Sequence, residues 1–267
     1  MDPSRALALR FERHESATWA RCLAQVSRAS ESGATKLTAT TVGFGGARVF
    51  AMQGLDSFDV NRVLGLGLEG PTTPTDVEAI VDIYRSLGLS RYQVEVVEEV
   101  AAPCGPVLEA AGLVRHRDPI WTIYLDLQHI PPLEPDMVVQ VLGPADRHEL
   151  TELQGIAWGL WELDDAHELW FSACLGAEGF TYFGTYDEGV LVSVGALYVD
   201  GPTAWGGFDA TLPRLRRRHR RRALSRHRLR LAADLGCELI HADAYDPPRL
   251  RTWSLAYRKI RWVSRDT

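Results

Sequence analysis

Three apolar runs in the second half of the chain, Phe180–Tyr186, Val190–Val199 and Trp205–Thr211, lie close together, the first two separated only by the turn "DEG". This spacing predicts an antiparallel meander. A long helix follows the third run, carrying Ala223, Leu224, Leu229, Leu231, Ala232 and Leu235 and ending at Gly236. "CELIHADA" then reads as the next strand. A strand–helix–strand step adds a parallel strand to the meander, and its crossover is expected to be right-handed. The fold class is therefore α/β, with a mixed sheet of α+β character.

The 267 residues suit one large domain or two of roughly 130. At 46% apolar and 24% charged, the chain has the material for a real core. No apolar run reaches the ~18 residues a membrane span needs. The N-terminus shows no apolar stretch of signal-peptide length, so a cytoplasmic location is expected. Cys22, Cys104, Cys174 and Cys237 are scattered with no CxxC pair, which argues against a zinc knuckle or a disulfide framework.

The first half has a similar layout. A helix is expected over Thr18–Ala29, then strands Leu37–Val42 and Arg48–Met52 around "GFGG", and a strand Val60–Leu68. A threonine cap and Pro74 open a helix with Val77, Ile80, Val81 and Tyr84 at helical spacing. A strand Tyr92–Val100, a short helix "CGPVLEAAG" and a closing strand Ile120–Leu127 follow. Gln128–Asp136 holds three prolines and is the best linker, which predicts domains 1–130 and 131–267. The second half opens with a strand "MVVQVLG" and a helix from Pro144 to about Trp158. A helix capped at Asp164 and Asp165 comes next, and a last short helix is expected over Leu250–Ile260.

Between the third strand of the meander and its helix lies "RRRHRRR", residues 216–222, in a chain of net charge −6. Ten arginines fall between Arg214 and Arg230, so the rest of the chain is strongly acidic. A nucleic-acid surface would need interleaved aromatics and a broad basic face, and the run has neither. A solvated first helical turn is a second reading, since arginine forms helices well. The third is an anion cradle. Cations at the positive end of a helix are repelled unless an anion or water screens them, and guanidinium forks bind phosphate bidentately.

"GVLVSVGALYVDGPTAWGGFDATLPRLRRRHRRRAL…LRLAADLGC" resembles the GNAT superfamily of N-acetyltransferases, and with "NRVLGLG" in the first half it is similar to tandem bacterial members with two GNAT-like halves. The C-terminal half is the fuller match. The resemblance implies transfer of an acetyl or other acyl group from acyl-CoA to a small-molecule amine, without a metal. In the family, a Q/R-x-x-G-x-G/A loop holds the pyrophosphate of acetyl-CoA on backbone N–H groups at a helix N-terminus. Here Arg216 takes the Q/R position, and His219 and Arg221 stand where glycine and Gly/Ala are expected. Thr211 and Leu212, with Arg216, Arg217, Arg218, His219, Arg220, Arg221 and Arg222, are the implied CoA-binding residues. Tyr257 matches the tyrosine that serves as general acid, with Arg261 and Trp262 replacing the Gly-Phe that follows it in the family. Asp209 lies where many members place a general base.

The lost glycines leave an alternative open: a protein of this fold that no longer uses acyl-CoA and acts on, or binds, an anionic small molecule, or a non-enzymatic interaction protein. Asp243 and Asp246 end a strand where such sheets put ligands. Asp164, Asp165, His167 and Glu168 do not put three metal ligands on one helix face, and capping explains the acids. Trp158, Trp161 and Glu162 are candidates for lining an acceptor pocket, or for core packing at a helix end. The first half shows no pyrophosphate-loop pattern and reads as a scaffold.

Overall fold

The computed structural model describes residues 3–33, 36–44, 46–129, 138–160, 162–215, 220–245 and 253–265. No helix among them is long and apolar enough to cross a membrane. The chain forms two compact units: residues 1–31, 36–123 and 243–267, and residues 32–35 and 124–242. The proline linker assigns residues 243–267 to the second half, whereas in the structure they belong to the first unit.

In the first unit, α1 (Pro3–Ser32) is much longer than the expected 18–29. Its buried face, Ala8, Phe11, Trp19, Cys22, Leu23 and Val26, also contains Glu12 and Glu15. Those two acids break the apolar stripe that periodicity looks for. Strands β1 (Thr38–Phe44), β2 (Ala47–Gln53) and β3 (Arg62–Leu64) form an antiparallel meander. β3 is shorter than the expected Val60–Leu68 because Gly65 and Gly67 take φ of 77° and 80°, which bends the chain away. Helix α2 (Pro74–Ser86) starts with the expected threonine cap: Thr73 and Asp76 form a reciprocal capping box, with Pro74 in the first turn. It leads to β4 (Gln93–Val97), parallel to β3. Helix α3 (Glu98–Ala110) takes over at Glu98, cutting short the expected strand to Val100. β5 (Val114–Arg115) and β6 (Ile120–Asp126) follow.

The expected last helix, Leu250–Ile260, is instead a strand, β12 (Ser254–Val263), antiparallel to β4 with Lys259 opposite Val97 and Trp262 opposite Val94. Tyr257 and Lys259 bury two residues apart, and Ile260 and Trp262 bury at the complementary positions. The inward lysine hides this alternation in the sequence.

The second unit opens with β7 (Gln140–Leu142), α4 (Arg147–Trp158) and α5 (Asp165–Ser172). The meander is β8 (Phe180–Asp187), β9 (Val190–Asp200) and β10 (Thr203–Thr211). Helix α6 (Arg220–Asp234) then leads to β11 (Leu239–Ala244). The order is β7-β8-β9-β10-β11, antiparallel until the parallel β10–β11 pair. Gly236, at φ 80°, closes α6, with its N–H donating to the Ala233 carbonyl. Both units thus repeat one plan: meander, helix, parallel strand.

Asn61 pins the first unit. Fully buried, it accepts from Met52 N–H at 2.8 Å and donates to the Leu55 and Arg91 carbonyls at 3.3 and 3.2 Å. Each buried bond contributes about 1 kcal/mol, and an orphaned group costs about 1–3 kcal/mol. Asn61→Ala is expected to lower the unfolding free energy by about 2–4 kcal/mol in urea denaturation.

Candidate functional site

One departure from regular pairing in the second unit's sheet lies in β10. Gly207 pairs with Ala196 and Ala210 with Val194, so Phe208 and Asp209 of β10 together oppose the single residue Gly195 of β9. This is a β-bulge. Phe208 has φ of +53°, a left-handed backbone unusual for a phenylalanine. Its ring stacks on Tyr182 at 5.9 Å and meets Trp170 and Trp205 edge-on at 6.1 and 5.4 Å. Helix α4 takes up the bulge's carbonyls: Gln154 Nε2 donates to Phe208 O at 3.2 Å and Trp158 Nε1 to Asp209 O at 3.4 Å. Trp158 therefore braces the bulge, although 40% of it stays exposed.

Arg228, on α6, is 3% exposed and reaches Asp209 with both terminal nitrogens: Nη1 lies 3.4 Å from Oδ2, and Nη2 pairs with Oδ1. A Cβ on Gly206 would sit 2.7 Å from Arg228 Cδ, and one on Gly195 would sit 2.8 Å from Asp209 Oδ1. These two glycines make room for the ion pair. The guanidinium also lies 5.6 Å from the Phe183 ring centre. The β10–β11 register runs from Thr203↔Leu239 to Gly206↔Ala242 and stops there, five residues before β10 ends at Thr211.

Thr211 Oγ1 lies 2.6 Å from Ser193 Oγ, and Leu212 N–H donates to Val192 O at 3.0 Å. These two members of the expected CoA-binding set are thus engaged by β9. Arg216, Arg217, Arg218 and His219 lie outside the described residues, as do Trp161 and Asp246. Arg220, Arg221 and Arg222 form the first turn of α6. Asp164 accepts from His167 N–H at 3.0 Å as the cap of α5, and that bond above all holds its carboxyl below the usual range.

Tyr257 belongs to the first unit. It is 4% exposed, and its hydroxyl donates to Glu12 Oε1 at 3.0 Å. Burial pushes the hydroxyl's pKa well up. Beside it Lys259, fully buried, has Nζ 2.7 Å from Asp243, 2.9 Å from Glu95 and 3.0 Å from Glu15. The carboxylates of Glu15, Glu95 and Asp243 lie within 4.8 Å of one another, a spacing that suits a metal ion, and the ammonium takes that seat. Arg62 adds a second buried cation, 3.2 Å from Glu95. Burial alone would depress the lysine, but the facing carboxylates outweigh it and hold Lys259 well above its usual range. Burial would raise Glu95, yet Lys259 and Arg62 hold it down. Glu12 is pushed up to about 7 by burial, and Glu15 well up by the same cause. Asp243, read from the sequence as a ligand candidate, is a member of this cluster and also accepts from Thr122 Oγ1 at 2.9 Å.

The loop before α2 occupies the same topological place as the arginine run. Its Gly65 N–H donates to Glu12 Oε2 at 3.1 Å. A cavity of about 300 Å³ beside it is lined by Glu69 and Asp76 among others. Glu69 pairs with Arg13 at 2.8 Å, and Asp76 belongs to the Thr73 capping box. Sequence reasoning missed Arg228, Gln154, Gly195, Glu12, Glu15 and Lys259. The first lay hidden in a run of arginines, and the buried charges look like surface residues.

Glu12 makes a pH prediction. Its carboxyl is raised from 4.5 to about 7 in the folded state. Between those values the folded protein keeps a proton that the unfolded chain gives up, so stability falls as pH rises through that window and levels off above it. The change is on the order of 3 kcal/mol, at about 1.4 kcal/mol per unit. Glu12→Gln is expected to reduce this slope between pH 5 and 7 in denaturant titrations. Glu15, raised by the same burial, stays in the variant and adds its own decline from the ordinary carboxylate range upward, so part of the slope remains.

No family model matches this sequence, and no curated protein matches it. Among solved structures, a GCN5-related N-acetyltransferase from Kribbella flavida aligns over 94% of this chain and 96% of its own, with TM-score 0.63 and 14% identity. One from Sphaerobacter thermophilus aligns over 82% and 76%, with TM-score 0.58 and 15% identity. A tandem GNAT protein from the clavulanic acid biosynthesis pathway, solved without AcCoA, aligns over 93% and 94%, with TM-score 0.56 and 16% identity. Together with the plan repeated in both units, these likenesses show that the chain has the fold of the GCN5-related N-acetyltransferases, in tandem form.

Proposed function

We propose that the protein is an acyltransferase that moves an acyl group from a CoA thioester to a small amine, using the second unit. The observation that carries this reading is β10: a bulged strand whose parallel register with β11 ends at Gly206, and which continues through Thr211 toward an arginine-rich helix start. An extended chain bearing amides, such as the pantetheine arm of CoA, suits strand-like recognition. The residues from Arg216 to Arg222 supply side-chain donors for its phosphates in place of glycine backbone. The fold shared with N-acetyltransferases supports the same chemistry.

In this reading the amine attacks the thioester carbonyl directly and the thiolate leaves. Asp209 is engaged by Arg228 through both oxygens, and Tyr257 is enclosed on Glu12, so neither is given a proton-transfer role. Solvent takes the amine's proton. The replacement of loop glycines by arginine favours a second reading, in which the site holds a different anionic small molecule.

Calorimetric titration with acetyl-CoA and CoA separates the two. Binding in the micromolar range is expected. Absence of heat at millimolar ligand rejects acyl transfer and leaves the second reading. Changing Arg216, Arg217 and Arg218, or Arg220, Arg221 and Arg222, to Gln is expected to weaken CoA binding by roughly tenfold or more per group and to reduce its salt dependence, since a charge-assisted bond contributes about 1.5–3 kcal/mol.

A further inference from the structure

We infer that Arg228 and Asp209 are a positioning pair, an internal strut that sets the shape of the β10 bulge and so of the strand proposed to receive the acyl-CoA. The inference rests on the proposed function only for what lies on β10. The strut itself is carried by geometry.

Four observations converge on it. The pair spans from α6 to β10, and one of its members is itself a bulge residue. The residue opposite the bulge is Gly195, where a Cβ would meet Asp209 Oδ1 at 2.8 Å. The residue at the end of the β10–β11 register is Gly206, where a Cβ would meet Arg228 Cδ at 2.7 Å. The sheet is thus left without side chains where the pair lies. Finally, Arg228 Nε is buried with no hydrogen-bond partner among the described residues. A buried ion pair contributes little net stability, and one with an unsatisfied N–H contributes less, because desolvation offsets the attraction. What a bidentate guanidinium supplies instead is direction: it fixes the carboxylate's orientation, and with it the backbone of the residue after Phe208.

A lysine cannot reproduce this geometry. One ammonium does not span two carboxylate oxygens, and its stem lacks the planar fork. A strut and a general base therefore differ in measurable ways. A base acts on the proton of the amine and leaves the strand unchanged when neutralised. A strut acts on the strand and on ligand affinity.

The test uses the full chain and four variants: Asp209→Asn, Arg228→Lys, Arg228→Met, and the double Arg228→Met/Asp209→Leu. Amide hydrogen exchange over residues 207–211 is read together with the midpoint of urea unfolding and calorimetric affinity for CoA. The double variant is expected to keep an unfolding midpoint close to the parent's, while amides 207–211 exchange at least tenfold faster and CoA binds at least tenfold more weakly. Asp209→Asn is expected to raise exchange in the same segment, and Arg228→Lys not to restore it. Unchanged exchange at 207–211 in Asp209→Asn and in the double variant would overturn the strut. So would full rescue by Arg228→Lys. If the parent binds no CoA, the proposed function fails, and the exchange measurement still decides the strut.

Discussion

A guanidinium folded under helix α6 is the constraint on which the second unit's site depends. Arg228 needs a carboxylate, and Asp209 supplies it from the bulge of β10. It needs room against the sheet, and Gly195 and Gly206 provide it. The bulge in turn needs partners for its displaced carbonyls, and α4 provides Gln154 and Trp158. Phe208 accepts a left-handed backbone because its ring packs against Tyr182, Trp170 and Trp205. Such a conformation costs of order 1–3 kcal/mol and persists only where the surroundings determine it.

The first unit solves a different problem with buried charge. Lys259 stands among Glu15, Glu95 and Asp243, with Glu12 3.8 Å away, and Arg62 pairs with Glu95. The acids come from α1, β4 and β11, and the lysine from β12. Removing one partner from such a network leaves charge uncompensated in the interior, at a cost of about 3–5 kcal/mol. The same network encloses Tyr257 and binds the Gly65 N–H, so the segment leading to α2 is tied to a carboxyl group. The repeated plan thus serves two ends, one half closed on its own charges and the other carrying the arginine-rich turn.

Much of this was legible in the sequence, and the failures share a cause. The meander Phe180–Thr211, the helix ending at Gly236, the Thr73 cap and the Asp164 cap are local signals, set by alternation, glycine conformation and side-chain oxygen at helix starts. The N-terminal half of α1 and the strand β12 were not legible, because their inward faces carry Glu12, Glu15 and Lys259. Periodicity identifies a buried face by its apolar residues, and here the charged partners that justify the burial sit on other elements of the fold. Asp209 was found as a residue of interest, but its partner was one arginine among ten between Arg214 and Arg230. Only the fold distinguishes the inward one. The proline linker places a single cut along the chain, so it had no means of returning residues 243–267 to the first unit.

The central claim is that the bulged end of β10, beyond its register with β11, receives the pantetheine arm of an acyl-CoA. Backbone amide exchange at residues 207–211, measured with and without saturating CoA, tests it most directly. CoA is expected to slow exchange in this segment and to leave β8 unchanged. Saturating CoA that binds yet leaves 207–211 at the unliganded rate would contradict it.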